Sequence, residues 1–153
     1  MAVEVGQEAP DFTLRDENGE EVTLSSLRGH NVVLVFYPLA FSRICTKELK
    51  DISSVADQFE AANAEVFGIS IDSPFVLKAF KRDEDLEAHL LSDFHPKGEV
   101  AKRYGAYIEE AGIATRATFV IDKNGNVAHK VVTHPGEARD EQEYLDALAA
   151  CPV

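Results

Sequence analysis

The chain has 153 residues, 45% hydrophobic and 27% charged, which suits one globular domain over residues 1–153 with a sizeable core. Its formal charge of −12 disfavours nucleic acid and anionic membrane surfaces as partners, since both are polyanions. The sequence shows no apolar run of about eighteen residues that could span a membrane, no signal-peptide pattern at the start, and only two cysteines, so a reducing, cytoplasmic setting is expected.

In chain order, Phe12-Thr13-Leu14 and Glu21-Val22-Thr23-Leu24 alternate apolar and polar side chains around Asn18-Gly19, which predicts an N-terminal β-hairpin. Ser25 to Gly29 reads as a short helical turn. The run Val32-Val33-Leu34-Val35-Phe36-Tyr37 is β-branched and aromatic and predicts a buried strand, ended by Pro38, which has no N–H for the ladder. A helix is expected from about 43 to 62, with Cys45, Leu49, Ile52, Ala56 and Phe59 on one face. Residues 64–71 predict a strand. Ser73 as N-cap and Pro74 at the first helical position start a helix to about Arg82, with Phe75, Val76, Ala79 and Phe80 as its inward side. A strand at Leu90-Leu91 and a helix from Glu99 to Tyr104 follow. Ala117–Ile121 and Val127–Val132 flank the turn Lys123-Asn124-Gly125-Asn126, and Asp140 caps a last helix with Tyr144, Leu145 and Leu148 apolar. Two βα units imply parallel pairing and the hairpins imply antiparallel edges. The fold class is α/β: a thioredoxin-like mixed sheet flanked by helices.

The stretch richest in chemistry is Pro38-Leu39-Ala40-Phe41-Ser42-Arg43-Ile44-Cys45. Ser42 is an N-cap candidate, and Cys45 falls in the first turn of the helix that follows the buried strand. Free N–H groups and the positive helix end favour an anion there, and a thiolate is such an anion. A small, inert core cysteine is the alternative reading of the same pattern.

Pro38, Ser42 and Cys45 match the P-x-x-x-(T/S)-x-x-C motif of the peroxiredoxins, and the chain resembles that family along nearly its whole length. Ala9-Pro10-Asp11-Phe12 is similar to the family's N-terminal signature, and Arg116 precedes Ala117-Thr118-Phe119 where the family keeps an arginine. Pro38-Leu39-Ala40-Phe41, Leu91-Ser92-Asp93-Phe94, Ala111-Gly112-Ile113-Ala114 and Pro135-Gly136-Glu137 resemble the one-cysteine alkyl hydroperoxide reductase E subgroup.

The resemblance implies a thiol-dependent peroxidase in which Cys45 reduces hydrogen peroxide or an organic hydroperoxide and becomes a sulfenic acid. Arg116 would favour the thiolate and bond the peroxide oxygen with its planar fork. The Ser42 hydroxyl would accept from a backbone N–H and donate to thiolate or peroxide, and Pro38 would shield the sulfur from water. Glu48, with Arg139 as a second arginine, would form a network that orients these groups. Leu39, Phe41, Ile44 and Ile113 are expected to line an apolar approach, and the same strip could bury the contact of a homodimer.

Cys151, third from the end, is read as a structural thiol, with resolution of the Cys45 sulfenic acid as the alternative. Recycling otherwise needs an external thiol or a glutaredoxin- or thioredoxin-like reductant. No cofactor is implied, and the five histidines form no zinc-like spacing with the cysteines, so no metal is expected. Two other readings remain open at this stage. One is a disulfide reductase, which lacks its usual second cysteine because Ser42 holds that place. The other is a non-catalytic thioredoxin-like redox or interaction module.

Overall fold

The computed structural model describes residues 3–151. In chain order it contains β1 (Thr13–Asp16), β2 (Glu21–Thr23), a 3-10 turn at Leu24–Leu27, β3 (Asn31–Phe36), α1 (Arg43–Ser54), α2 (Ala56–Ala61), β4 (Ala64–Ser70), α3 (Pro74–Glu84), β5 (His89–Ser92), α4 (Glu99–Arg103), β6 (Tyr107–Ile108), β7 (Ile113–Ala114), β8 (Arg116–Ile121), β9 (Val127–Thr133) and α5 (Glu141–Ala149). No helix among the described residues is long and apolar enough to cross a membrane.

Seven strands form one mixed sheet in the order β2-β1-β5-β4-β3-β8-β9. β3 lies at its heart, parallel to β4 and antiparallel to β8, and all six β3 residues are buried. An unbroken apolar run is what a strand covered on both faces requires. The period of two divides the core. Val32, Leu34 and Phe36 pack with Phe119, Ile121, the α4 residues Val100 and Ala101, and Tyr104 just after α4. Val33 and Val35 point the other way, toward Cys45, Leu49, Leu77, Phe80 and Leu148 from α1, α3 and α5.

Two turns repeat one device. In Asp16–Glu20 and Asp122–Asn126, the aspartate Oδ1 accepts from the N–H groups two and four residues on. Gly19 and Gly125 supply the positive φ of +80° and +91°. Each Gly N–H returns to the aspartate carbonyl at 2.9 Å. The Asn-Gly pair therefore closes a turn with glycine as the left-handed residue after it, rather than a two-residue hairpin.

Two expectations need correction. The helix expected over 43–62 is divided at Val55 into α1 and α2. Ser53 Oγ bonds the Leu49 carbonyl and Ser54 Oγ the Asp51 carbonyl, and such side-chain competition for carbonyls loosens a helix end. In α3 the inward face is Leu77 and Phe80, whereas Phe75 is 88% exposed and Val76 is exposed as well. The short antiparallel pair β6–β7 was not foreseen, because strands of two residues carry no readable alternation.

Candidate active site

The chain leaves β3 through Tyr37 and Pro38, both buried, and turns into α1. Asp72, two residues past the end of β4, holds this turn: its Oδ2 accepts from Ala40 N–H at 2.8 Å and from Ser70 Oγ at 2.7 Å. Phe41 takes a left-handed φ of +68°, unfavourable for an aromatic residue, and its ring packs on Phe80 at 4.9 Å between centroids.

Ser42 occupies the N-cap of α1, as the sequence indicates, but its hydroxyl makes no cap hydrogen bond. It donates to the Leu39 carbonyl at 2.8 Å and so closes the Pro38–Ser42 loop on itself. Its own carbonyl accepts both Thr46 N–H and Thr46 Oγ1–H, at 2.9 and 2.7 Å. Cys45 stands in the first turn of α1 with no exposed surface. Beside it, the buried Tyr37 hydroxyl is pushed up by burial, and further by the charge of Asp72.

One turn along α1 from Cys45, the buried Glu48 carboxylate gathers both arginines. Arg116 Nη1 donates to Oε1 at 2.7 Å, and Arg139 Nη2 to the same oxygen at 2.9 Å. Arg139 N and Nε donate to Oε2 at 2.6 and 3.0 Å. Burial alone would raise the Glu48 carboxyl, but the hydrogen bonds and charge of Arg139, with the charge of Arg116, hold it below the ordinary glutamate range. Arg139 is fixed further by Nη1 bonds to the Phe36 carbonyl and Thr118 Oγ1, and Thr118 in turn donates to the Tyr144 hydroxyl.

Arg116 opens β8 and is itself buried, at 3% exposure. Its Nε donates to the Pro135 carbonyl at 2.7 Å. With Nη1 on Glu48, the plane of the guanidinium is fixed, and Nη2 makes no hydrogen bond among the described residues. The guanidinium forms part of the wall of a cleft of about 300 Å³, with Pro38, Leu39, Ser42, Arg43, Ile44 and Pro135 as the remaining lining.

The structure thus gathers Pro38, Leu39, Ser42, Ile44 and Arg116 at one cleft, with Cys45 next to Ile44 in the chain and Glu48 and Arg139 behind. Two residues expected in the lining are not there. Phe41 turns to Phe80, and Ile113 pairs with Ile108 in the β6–β7 hairpin. Sequence reasoning missed Arg43, Pro135, Asp72 and Thr118. A cation at the first residue of a helix runs against the usual charge preference there, and that signal singles out Arg43.

Cys151 is remote from this site. Its Sγ is 3.5 Å from the Ala147 carbonyl, and burial, with the nearby Asp122 charge, pushes its thiol up. Asp122 follows Ile121, which pairs with Val32 at the start of β3, whereas Cys45 lies near Tyr37, beyond the end of β3. The two thiols therefore sit at opposite ends of a strand about 16 Å long. A disulfide tolerates a Cα separation of only about 7 Å.

A sheet of this order, carrying a buried cysteine at the head of the helix after its central strand, is the thioredoxin-like fold of a peroxiredoxin. Residues 5–130 match the AhpC/TSA family. Alkyl hydroperoxide reductase E of Mycobacterium tuberculosis is 45% identical over 147 residues, covering 95% of this chain and 96% of that protein. The crystal structure of peroxidoxin BcpB from Mycobacterium tuberculosis is similar with a TM-score of 0.87 at 30% identity, covering 99% of each chain. That of the reduced Plasmodium vivax 2-Cys peroxiredoxin gives a TM-score of 0.88 at 30% identity, covering 97% of this chain and 81% of that one. The chain belongs to the AhpC/TSA family and is a thiol-dependent peroxidase of the peroxiredoxin kind.

Proposed function

We propose that Cys45 is the peroxidatic residue and that an external thiol regenerates it. The observation that carries this reading is the Arg116 guanidinium, fixed at Nε and Nη1 and left with Nη2 as a donor at the cleft where α1 begins. The Cys45 thiolate attacks one oxygen of the hydroperoxide and the O–O bond breaks. The departing oxygen takes the electron pair and a proton and leaves as water or alcohol, while Cys45 becomes a sulfenic acid. Nη2 of Arg116 meets the charge that moves along the S–O–O axis, and a donor fixed beforehand needs no reorganisation in the transition state. Pro38 and Ser42 pre-organise the loop, the latter through its bond to Leu39.

The separation of Cys151 from Cys45 within one chain supports the one-cysteine route. A reducing thiol, of low molecular weight or on a glutaredoxin- or thioredoxin-like protein, condenses with the sulfenic acid and releases water. A second thiol then exchanges with the mixed disulfide and frees Cys45.

Five large apolar residues are exposed at one end of the sheet: Leu39 and Phe41 after β3, Phe75 and Val76 after β4, and Phe94 after β5. Because β3, β4 and β5 are parallel, these segments emerge at the same end. They suit the contact of a homodimer. We take the protein to act as one domain over residues 1–153 in the cytoplasm, in antioxidant defence.

Mass analysis after one equivalent of hydrogen peroxide tests the reading. One added oxygen on Cys45 is the expected result. A Cys45–Cys151 cross-link would overturn the one-cysteine route, and an unmodified Cys45 would overturn the assignment of the peroxidatic residue.

A further inference from the structure

The cleft is lined by two guanidiniums and by no carboxylate. That is unusual for a chain with 27 acidic residues against 15 basic ones. Six of the seven arginines are engaged. Arg15 bonds the Gly19 carbonyl, Arg28 faces Glu8, Arg82 meets Asp83, Arg103 meets Glu99, and Arg116 and Arg139 share Glu48. Arg43 is the exception: its side chain has no ion pair or hydrogen bond among the described residues, and it is exposed. Glu48 sets one negative charge against the two guanidiniums of Arg116 and Arg139, so that buried cluster keeps one positive charge, and the exposed, unpaired Arg43 adds another at the same cleft.

Besides the two arginines the lining is apolar at Pro38, Leu39, Ile44 and Pro135, and polar only at Ser42, whose hydroxyl is turned to the Leu39 carbonyl. A ligand complementary to this surface has an oxidant oxygen at Arg116, an apolar body along these walls, and an anionic group at Arg43. We propose that Arg43 is a specificity-determining residue, which selects organic hydroperoxides bearing a carboxylate over neutral ones of the same size. This rests on the peroxidase reading with Cys45 as the attacking sulfur. The large negative charge of the chain otherwise repels an anionic substrate, and an unpaired guanidinium in the cleft lining gives it a local place to land. The fork geometry of arginine matches a carboxylate with two parallel hydrogen bonds.

The test uses a linear hydroperoxy acid of medium chain length and its methyl ester, which differ in charge and little in bulk. Rate constants for Cys45 oxidation are taken for each and divided by that for hydrogen peroxide, which carries no tail. Wild type is expected to favour the acid over the ester by about two- to fivefold, the size of an exposed charge contact. In Arg43→Gln the ratio should fall to about one, in Arg43→Glu it should fall below one, and Arg43→Lys should keep most of the preference. An acid-to-ester ratio equal in wild type and Arg43→Gln, or a wild type without preference, would overturn the role of Arg43. Failure of hydrogen peroxide itself to oxidise Cys45 in wild type would instead overturn the peroxidase reading on which it rests.

Discussion

Arg139 grips Glu48 with three N–H groups: its backbone N and Nε reach one carboxylate oxygen at 2.6 and 3.0 Å, and its Nη2 reaches the other at 2.9 Å. The side chains lie on the last loop before α5 and in the first half of α1, 91 residues apart in sequence, and both are buried. Arg116 from β8 joins at the same carboxylate, so one acid ties three parts of the chain to the edge of the cleft. Such a network is costly to break at one member, since the remaining charges are left buried and unpaired.

Replacing Glu48 by glutamine therefore leaves two buried guanidiniums facing a neutral amide. The expected loss of stability is about 3–5 kcal/mol. The rate of Cys45 oxidation by hydrogen peroxide should fall at least about tenfold, because Arg116 loses one of its two anchors. Urea unfolding and stopped-flow oxidation of the same sample measure both effects. Unchanged kinetics in a destabilised variant would make the network structural only.

A second buried acid contributes to the behaviour at low pH. Glu17 is 5% exposed and meets Lys81 Nζ at 3.1 Å and His89 Nδ1 at 3.5 Å. Burial pushes its carboxyl up, but His89, its own backbone N–H and Lys81 together bring it down to about 2, from an ordinary 4.5. A carboxyl that ionises more readily when folded contributes stability above the unfolded value, and that contribution is lost as pH falls from 4.5 toward 2. It amounts to something on the order of 3 kcal/mol. The wild type should lose stability more steeply than Glu17→Gln over this range, as read from urea midpoints against pH. Parallel curves would contradict the assignment.

Cys151 is predicted to be dispensable for the catalytic cycle. Cys151→Ala should keep its turnover with an external thiol within about twofold, at a stability cost of about 1 kcal/mol for the lost buried sulfur. A variant that is oxidised normally by peroxide but no longer turns over would restore Cys151 as the resolving residue.

The exposed apolar end of the sheet gives a prediction about assembly. Phe75, at 88% exposure, has no packing role in the isolated chain, so Phe75→Asp should leave the fold intact. Sedimentation should show a dimer for wild type and a shift toward monomer for the variant. A wild type that sediments as a monomer at high concentration would remove this face as the dimer contact.

Much of this architecture could be read from local patterns. The β3 run is buried on both faces and bounded by Pro38, and the Asp-x-Asn-Gly turns carry their own chemistry, so strands and turns were legible. The inward face of α3 was not. Phe75 and Phe80 are both aromatic, and only packing against β5 and α1 decides that Leu77 joins Phe80 inside while Phe75 stays out. At the site, local pattern puts Ser42 and Cys45 at the start of a helix, whereas the roles of Pro38, Arg116 and Arg139 come by resemblance. The hydrogen bond from Ser42 Oγ to Leu39, the hold of Asp72 on Ala40 and the isolation of Arg43 depend on distances that spacing does not encode.

The central claim is that one sulfur, that of Cys45, attacks the peroxide beside Arg116. The most direct measurement is hydroperoxide consumed per chain in a single turnover, for wild type, Cys45→Ser and Cys151→Ser side by side. The account predicts one equivalent consumed by wild type and by Cys151→Ser, and none by Cys45→Ser. Consumption by Cys45→Ser at the wild-type rate would contradict it.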